Sequence, residues 1–134
     1  MKKDIPFYEV TDIAVAVIKE LNEKGDQVWN VYLINLKDEV IEGVLVTSTG
    51  YGEMNNEKVK TSTLRHFLDV VEPHSFCKIE PIMEDVFGVN NEYWVSFYLN
   101  NIMYDKRYVF LAESINESNF TLVPEINRMG VMIK

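Results

Sequence analysis

The chain has 134 residues, 47% of them hydrophobic and 12% aromatic, with 21 acidic residues against 13 basic ones and a formal charge of −8. That composition describes a single globular domain over residues 1–134 with its own core, and excludes a disordered or low-complexity chain. No apolar run approaches the roughly 20 residues of a membrane helix, and an acidic balance without a long basic run argues against nucleic acid or an anionic membrane as partner.

The single cysteine, Cys77, forbids an internal disulfide and suits a reducing compartment, so the expected location is the cytoplasm. Lys2-Lys3 resembles the start of a signal peptide, but Asp4 and Glu9 interrupt what would be its apolar region. The sequons at Asn116 and Asn119 carry no meaning without export.

Residues 1–11 form a mixed polar arm in which Pro6 makes Ile5 extended, fit for an edge strand or a loose end. Asp12–Leu21 alternates Ile13, Val15 and Val17 and is read as a strand, with a helix as the competing assignment. Asn22–Asp26, with its Gly25, is a hairpin loop. Val28–Leu36 and Val40–Thr49 are β-branched and apolar, and the short charged linker between them predicts a central antiparallel hairpin. Alternation gives the first run one face of Trp29, Val31, Leu33 and Asn35 and another of Val28, Asn30, Tyr32, Ile34 and Leu36. Gly43 predicts a bulge or a close backbone approach.

Gly50–Glu57 reads as a polar loop. In the segment that follows, Leu64, Phe67, Leu68 and Val71 fall at i, i+3, i+4 and i+7, which favours a short helix near 62–71 over the competing strand, whose faces would be Leu64, His66, Leu68 and Val70 against Thr63, Arg65, Phe67 and Asp69; Pro73 ends it either way. Ser75–Met83 is a strand that Pro81 assigns to an edge or a bulge. Tyr93–Leu99 and Met103–Leu111, joined by Asn100-Asn101, form a second hairpin, because Asn tolerates the positive φ of a type I′ turn. Seven or so short strands with at most one short helix predict a mainly β fold, an antiparallel sandwich or a barrel.

In its order of hairpins the chain resembles immunoglobulin-like sandwiches, although it lacks the paired cysteines of antibody-type domains. The runs Leu64-Arg65-His66-Phe67 and Glu92-Tyr93-Trp94-Val95-Ser96-Phe97 also resemble a family of small bacterial proteins of uncharacterised activity. That likeness implies no activity and no site residue.

Chemistry-bearing residues are few. His66, His74, Cys77 and Glu80 raise a metal site, but His74 and Cys77 sit at odd spacing and no second close pair completes four ligands, so no metal or other cofactor is expected. Cys77 with a histidine, and Ser48, lack any nucleophile motif. Glu80, Glu84 and Asp85 read as surface carboxylates, and Tyr104–Arg107 as cross-strand charge pairs. No catalytic residue is assigned.

Two binding readings follow. In the first, the aromatic second hairpin has one face in the core and another, with Trp94 and Tyr98, that contacts a second copy of the chain or another protein. In the second, Tyr51, Lys58, Lys60 and Arg65 hold a small anionic ligand, as binding protein or enzyme.

Overall fold

The computed structural model describes residues 8–134. Of the N-terminal arm over residues 1–11, expected as an edge strand or a loose end, residues 1–7 lie outside the described residues and Tyr8–Thr11 form no strand. Ten strands run in chain order: β1 (Ile13–Leu21), β2 (Gln27–Asn35), β3 (Ile41–Met54), β4 (Glu57–Lys60), β5 (Leu64–Val71), β6 (Ser75–Ile82), β7 (Asn90–Leu99), β8 (Ile102–Phe110), β9 (Thr121–Val123) and β10 (Arg128–Ile133).

They form two antiparallel sheets packed face to face. The first has the order β6-β2-β1-β10-β9; in the second, β3 pairs β7 on one side and both β4 and β5 on the other, and β8 lies beyond β7. The architecture is a sandwich, not a closed barrel. Its strand order is also not the ABED/CFG order of immunoglobulin constant domains.

The central hairpin expected from residues 28–49 does not form. β2 pairs β1 and β6 in the first sheet, while β3 belongs to the second. The linker between them is a corner where the chain changes sheet. Asn35, fully buried at the end of β2, explains the geometry. Its Nδ2 donates to the carbonyls of Glu39, Val71 and Glu72, and its Oδ1 accepts from the Lys37 amide. Glu72 sits at the second corner, where the chain leaves β5 for β6 and returns to the first sheet.

The helix expected near 62–71 is strand β5, and among the described residues the only helical turns are the 3-10 turns Glu84–Val86 and Glu117–Asn119. A bulge produced the helical spacing. Val44 pairs Asp69 while Leu45 pairs Phe67, so Leu68 is an extra residue, and Asp69 takes φ +65°. Leu68 and Val71 therefore both turn inward three residues apart, whereas Leu64 and Phe67 are exposed.

The polar loop expected at 50–57 is strand for most of its length. β3 continues to Met54 and turns into β4 through Asn55-Asn56, both at positive φ. Asn100-Asn101 has the same geometry and joins β7 to β8, as its sequence predicts. Gly43 bulges as expected: φ is +55°, and a Cβ there would stand 3.2 Å from the Tyr98 ring.

The core lies between the sheets and is built from Val15, Val17, Trp29, Val31 and Leu33 against Val44, Val46, Tyr93, Val95 and Phe97. A smaller cluster covers the outer side of the first sheet, with Ala14, Ala16, Ile18 and Ile34 under Val123 and Ile126.

Candidate functional site

Two regions carry side chains beyond what the core requires. The first is the outer face of the second sheet. Alternation along β7 buries Tyr93, Val95 and Phe97 and turns Trp94 and Tyr98 outward. Register then sets their neighbours. Arg65, Thr47, Trp94 and Arg107 form one row across four strands; Phe67, Leu45, Ser96 and Asp105 form the next; Glu42, Tyr98 and Met103 form a third.

Exposure of the large apolar residues there is high: 66% for Phe67, 53% for Met103, 49% for Tyr98 and 43% for Trp94. The Arg107 guanidinium stands over the Trp94 ring, 5.6 Å from its centroid, and its other contact is the Glu92 carboxylate at 3.2 Å. Trp94 is thus held upright by a cation on the next strand.

Tyr51, Lys58 and Lys60 lie toward the far end of the same face, around a shallow hollow at the β3–β4 hairpin, with Tyr51 opposite Lys60 and Lys58 opposite Glu53. Arg65 does not join them. It pairs Thr47, four residues from Tyr51 along β3, a separation of about 13 Å. Tyr51, Lys58 and Lys60 stand together at the hollow, and Arg65 stands apart from it on the same face.

The second region is a cleft of about 330 Å³ beside the β5–β6 edge of the sandwich. Its centre is Glu80, expected to be a surface carboxylate and in fact only 13% exposed at its side chain. The cause is a second bulge: Val31 pairs Glu80 and Tyr32 pairs Lys78, so Ile79 is the extra residue. Ile79 and Glu80 consequently both face inward, Ile79 into the core and Glu80 toward β3 and β7.

Glu80 Oε1 accepts from Ser48 Oγ at 3.0 Å and lies 2.7 Å from His66 Nε2; Oε2 accepts from Tyr93 OH at 2.8 Å. Burial, then the charge of Glu80 and the hydrogen bond to it, raise the Tyr93 phenol well above its ordinary range. Three partners satisfy a carboxylate that would otherwise be costly inside the sandwich.

The arrangement is not a nucleophilic relay. Such a relay places the imidazole between hydroxyl and carboxylate, whereas here hydroxyl and imidazole both contact the same carboxylate oxygen. His74 lies beside Asp38 Oδ1 at 2.5 Å, the Cys77 thiol is pushed up by burial, and Glu84 accepts from the Trp29 indole at 2.9 Å. Of the four residues weighed as metal ligands, the structure thus brings together His66 and Glu80, and no group of three or more His, Cys, Asp or Glu side chains converges among the described residues.

Sequence reasoning missed Ser48 and Tyr93 as partners of Glu80, because they meet it across two sheets. The usable signal was Pro81 beside Glu80, since proline inside a strand marks an irregular edge. Comparison of the chain with protein-family models, with curated proteins and with solved structures gives no match.

Proposed function

We propose that the protein is a non-catalytic binding domain that works through the outer face of its second sheet, and that this face takes a second copy of the chain. The carrying observation is the set Phe67, Trp94, Tyr98 and Met103, all exposed on one face of the second sheet, with Leu45 of β3 between Phe67 and the β7–β8 residues. Aromatic residues, Met and Arg are the types enriched where proteins meet, and Trp with a stacked Arg suits the centre of a contact.

Charge favours a like partner. The chain as a whole carries −8, yet on this face Arg65, Arg107, Lys58 and Lys60 balance Glu42, Glu53, Glu92 and Asp105. Two copies can approach there without the repulsion their net charge imposes elsewhere. Pairing through the β8 edge is opposed, because Lys106 sits at an inward-facing position in the middle of that strand, its Nζ 5.0 Å from the Tyr108 ring centroid.

Iodide quenching of a Trp29→Phe protein, in which Trp94 is the sole tryptophan and is excited selectively over the tyrosines, tests the reading. Quenching that falls as protein concentration rises supports it, and quenching independent of concentration contradicts it.

A second reading, an anionic ligand at Tyr51, Lys58 and Lys60, has the shallow hollow at the β3–β4 hairpin in its favour. In it Arg65 is a separate contact.

A further inference from the structure

We infer that two copies of the chain meet about a two-fold axis that crosses the strands between Trp94 and Ser96, so that Arg107 of each copy pairs with the partner's Asp105. This rests on the sheet-face reading and adds the register of the contact. On that face Arg65, Thr47, Trp94 and Arg107 make one row, and Phe67, Leu45, Ser96 and Asp105 make the next. Two positions along a strand, about 7 Å, separate the rows. In a two-fold contact residue i meets j and j meets i. An axis midway between the rows therefore lays each row on the other row of the partner.

What meets is complementary in size and in charge. Trp94 faces the partner's Ser96, a large side chain on a small one. Arg65 faces the partner's Phe67, a cation over a ring. Along β8, Arg107 faces the partner's Asp105, and symmetry makes this contact twice. Asp105 is exposed and, among the described residues, has no ion pair within its own chain, whereas Arg107 already stands against Trp94 and Glu92. The partner's Arg107 supplies the cation that Asp105 lacks. Facing sheets stand about 10 Å apart, a gap that an Arg and an Asp side chain span together.

Other axes through the same face produce misfits. One through the Trp94 row sets Arg107 against the partner's Arg107, and one through the Ser96 row sets Asp105 against the partner's Asp105. An axis along the strands between β3 and β7 brings Arg65 onto the partner's Arg107. Like charges brought together in this way oppose association. Along β7 itself, an axis would press Asp105 onto the partner's Leu45, burying a carboxylate without a partner. Between β7 and β8, it would leave Phe67 of both copies outside the contact.

The test is sedimentation equilibrium of the parent chain, Arg107→Glu, Asp105→Arg and a 1:1 mixture of the two variants, all at the same total concentration. Both positions are exposed, so each variant keeps its fold. Either reversal alone sets like charges together at both symmetry-related contacts and should weaken the dimer about tenfold or more. In the mixture both contacts again join opposite charges, so its average mass should exceed that of either variant alone. The double variant with both reversals in one chain should dimerise as the mixture does. A dimeric parent whose mixture is no heavier than its components, and whose double variant stays monomeric, would overturn the register and leave the sheet-face reading standing. A monomeric parent would overturn both.

Discussion

The side-chain amide of Asn35 donates to the backbone carbonyl of Val71 at 3.2 Å, joining the end of β2 to the end of β5. With its bonds to Glu39 and Glu72, that one buried side chain fastens the β2–β3 and β5–β6 crossings between the sheets. Asn35→Leu keeps the volume and removes every donor. Several carbonyls lose their partner at once, so a loss of about 2–4 kcal/mol is expected in urea unfolding. A change within about 0.5 kcal/mol would show that the corners hold without it.

Close packing between β1 and β10 makes Gly130 obligatory. It pairs Ile18, and a Cβ at this position would stand 2.3 Å from the Val17 carbonyl oxygen. Backbone cannot step aside as a flexible side chain can. Gly130→Ala should therefore cost about 3 kcal/mol or more in thermal or urea unfolding, and a variant as stable as the parent would mean the strands are not in this register.

Alkali should unfold the protein through its buried phenols. Burial raises Tyr93 and Tyr108 above the ordinary value, and burial with the Glu20 carboxylate raises Tyr32 from 10.0 to about 12. The unfolded chain then releases protons first. Stability held by these groups is complete below the unfolded phenol value near pH 10 and is lost as pH rises from there through the folded values. Absorbance of phenolate against pH should show these tyrosines ionising late and together with loss of the fold; titration of every tyrosine at one ordinary value would refute their placement.

The β8 edge offers a further test. Lys106 is the inward-facing charge of a regular nine-residue edge strand. Replacing it by Val removes the obstacle to strand pairing. Lys106→Val should form larger, β-rich aggregates in light scattering, beyond any dimer of the parent chain. Unchanged scattering would place the guard elsewhere.

How far these features were legible depends on whether they are local. The Asn100-Asn101 hairpin and the inward set Tyr93, Val95 and Phe97 were readable because turn chemistry and alternation act over a few residues. The pairing of β2 with β3 was misread because a short polar linker looks the same whether it turns within a sheet or crosses to another. What distinguishes them is Asn35 meeting Val71, a contact 36 positions apart. The segment near 62–71 was read as a helix in preference to a strand because one bulged residue converts a two-residue repeat into a three-residue step between Leu68 and Val71.

The candidate sites divide the same way. Trp94 and Tyr98 follow from alternation and stand where the sequence put them, outward on one face. The separation of Arg65 from Lys58 and Lys60 required the register of β3. Glu80 required a bulge and two strands of the opposite sheet, none of which a local pattern encodes.

Self-association through the Trp94 face is most directly tested by sedimentation equilibrium of the parent chain beside a Trp94→Ser, Tyr98→Ser double variant. Both positions are exposed, so the variant should keep its fold and its circular dichroism. A concentration-dependent dimer of the parent and a monomer for the variant are expected, even for a contact as weak as about 1 mM. A parent chain that stays monomeric throughout, or a variant that dimerises equally, would contradict the account.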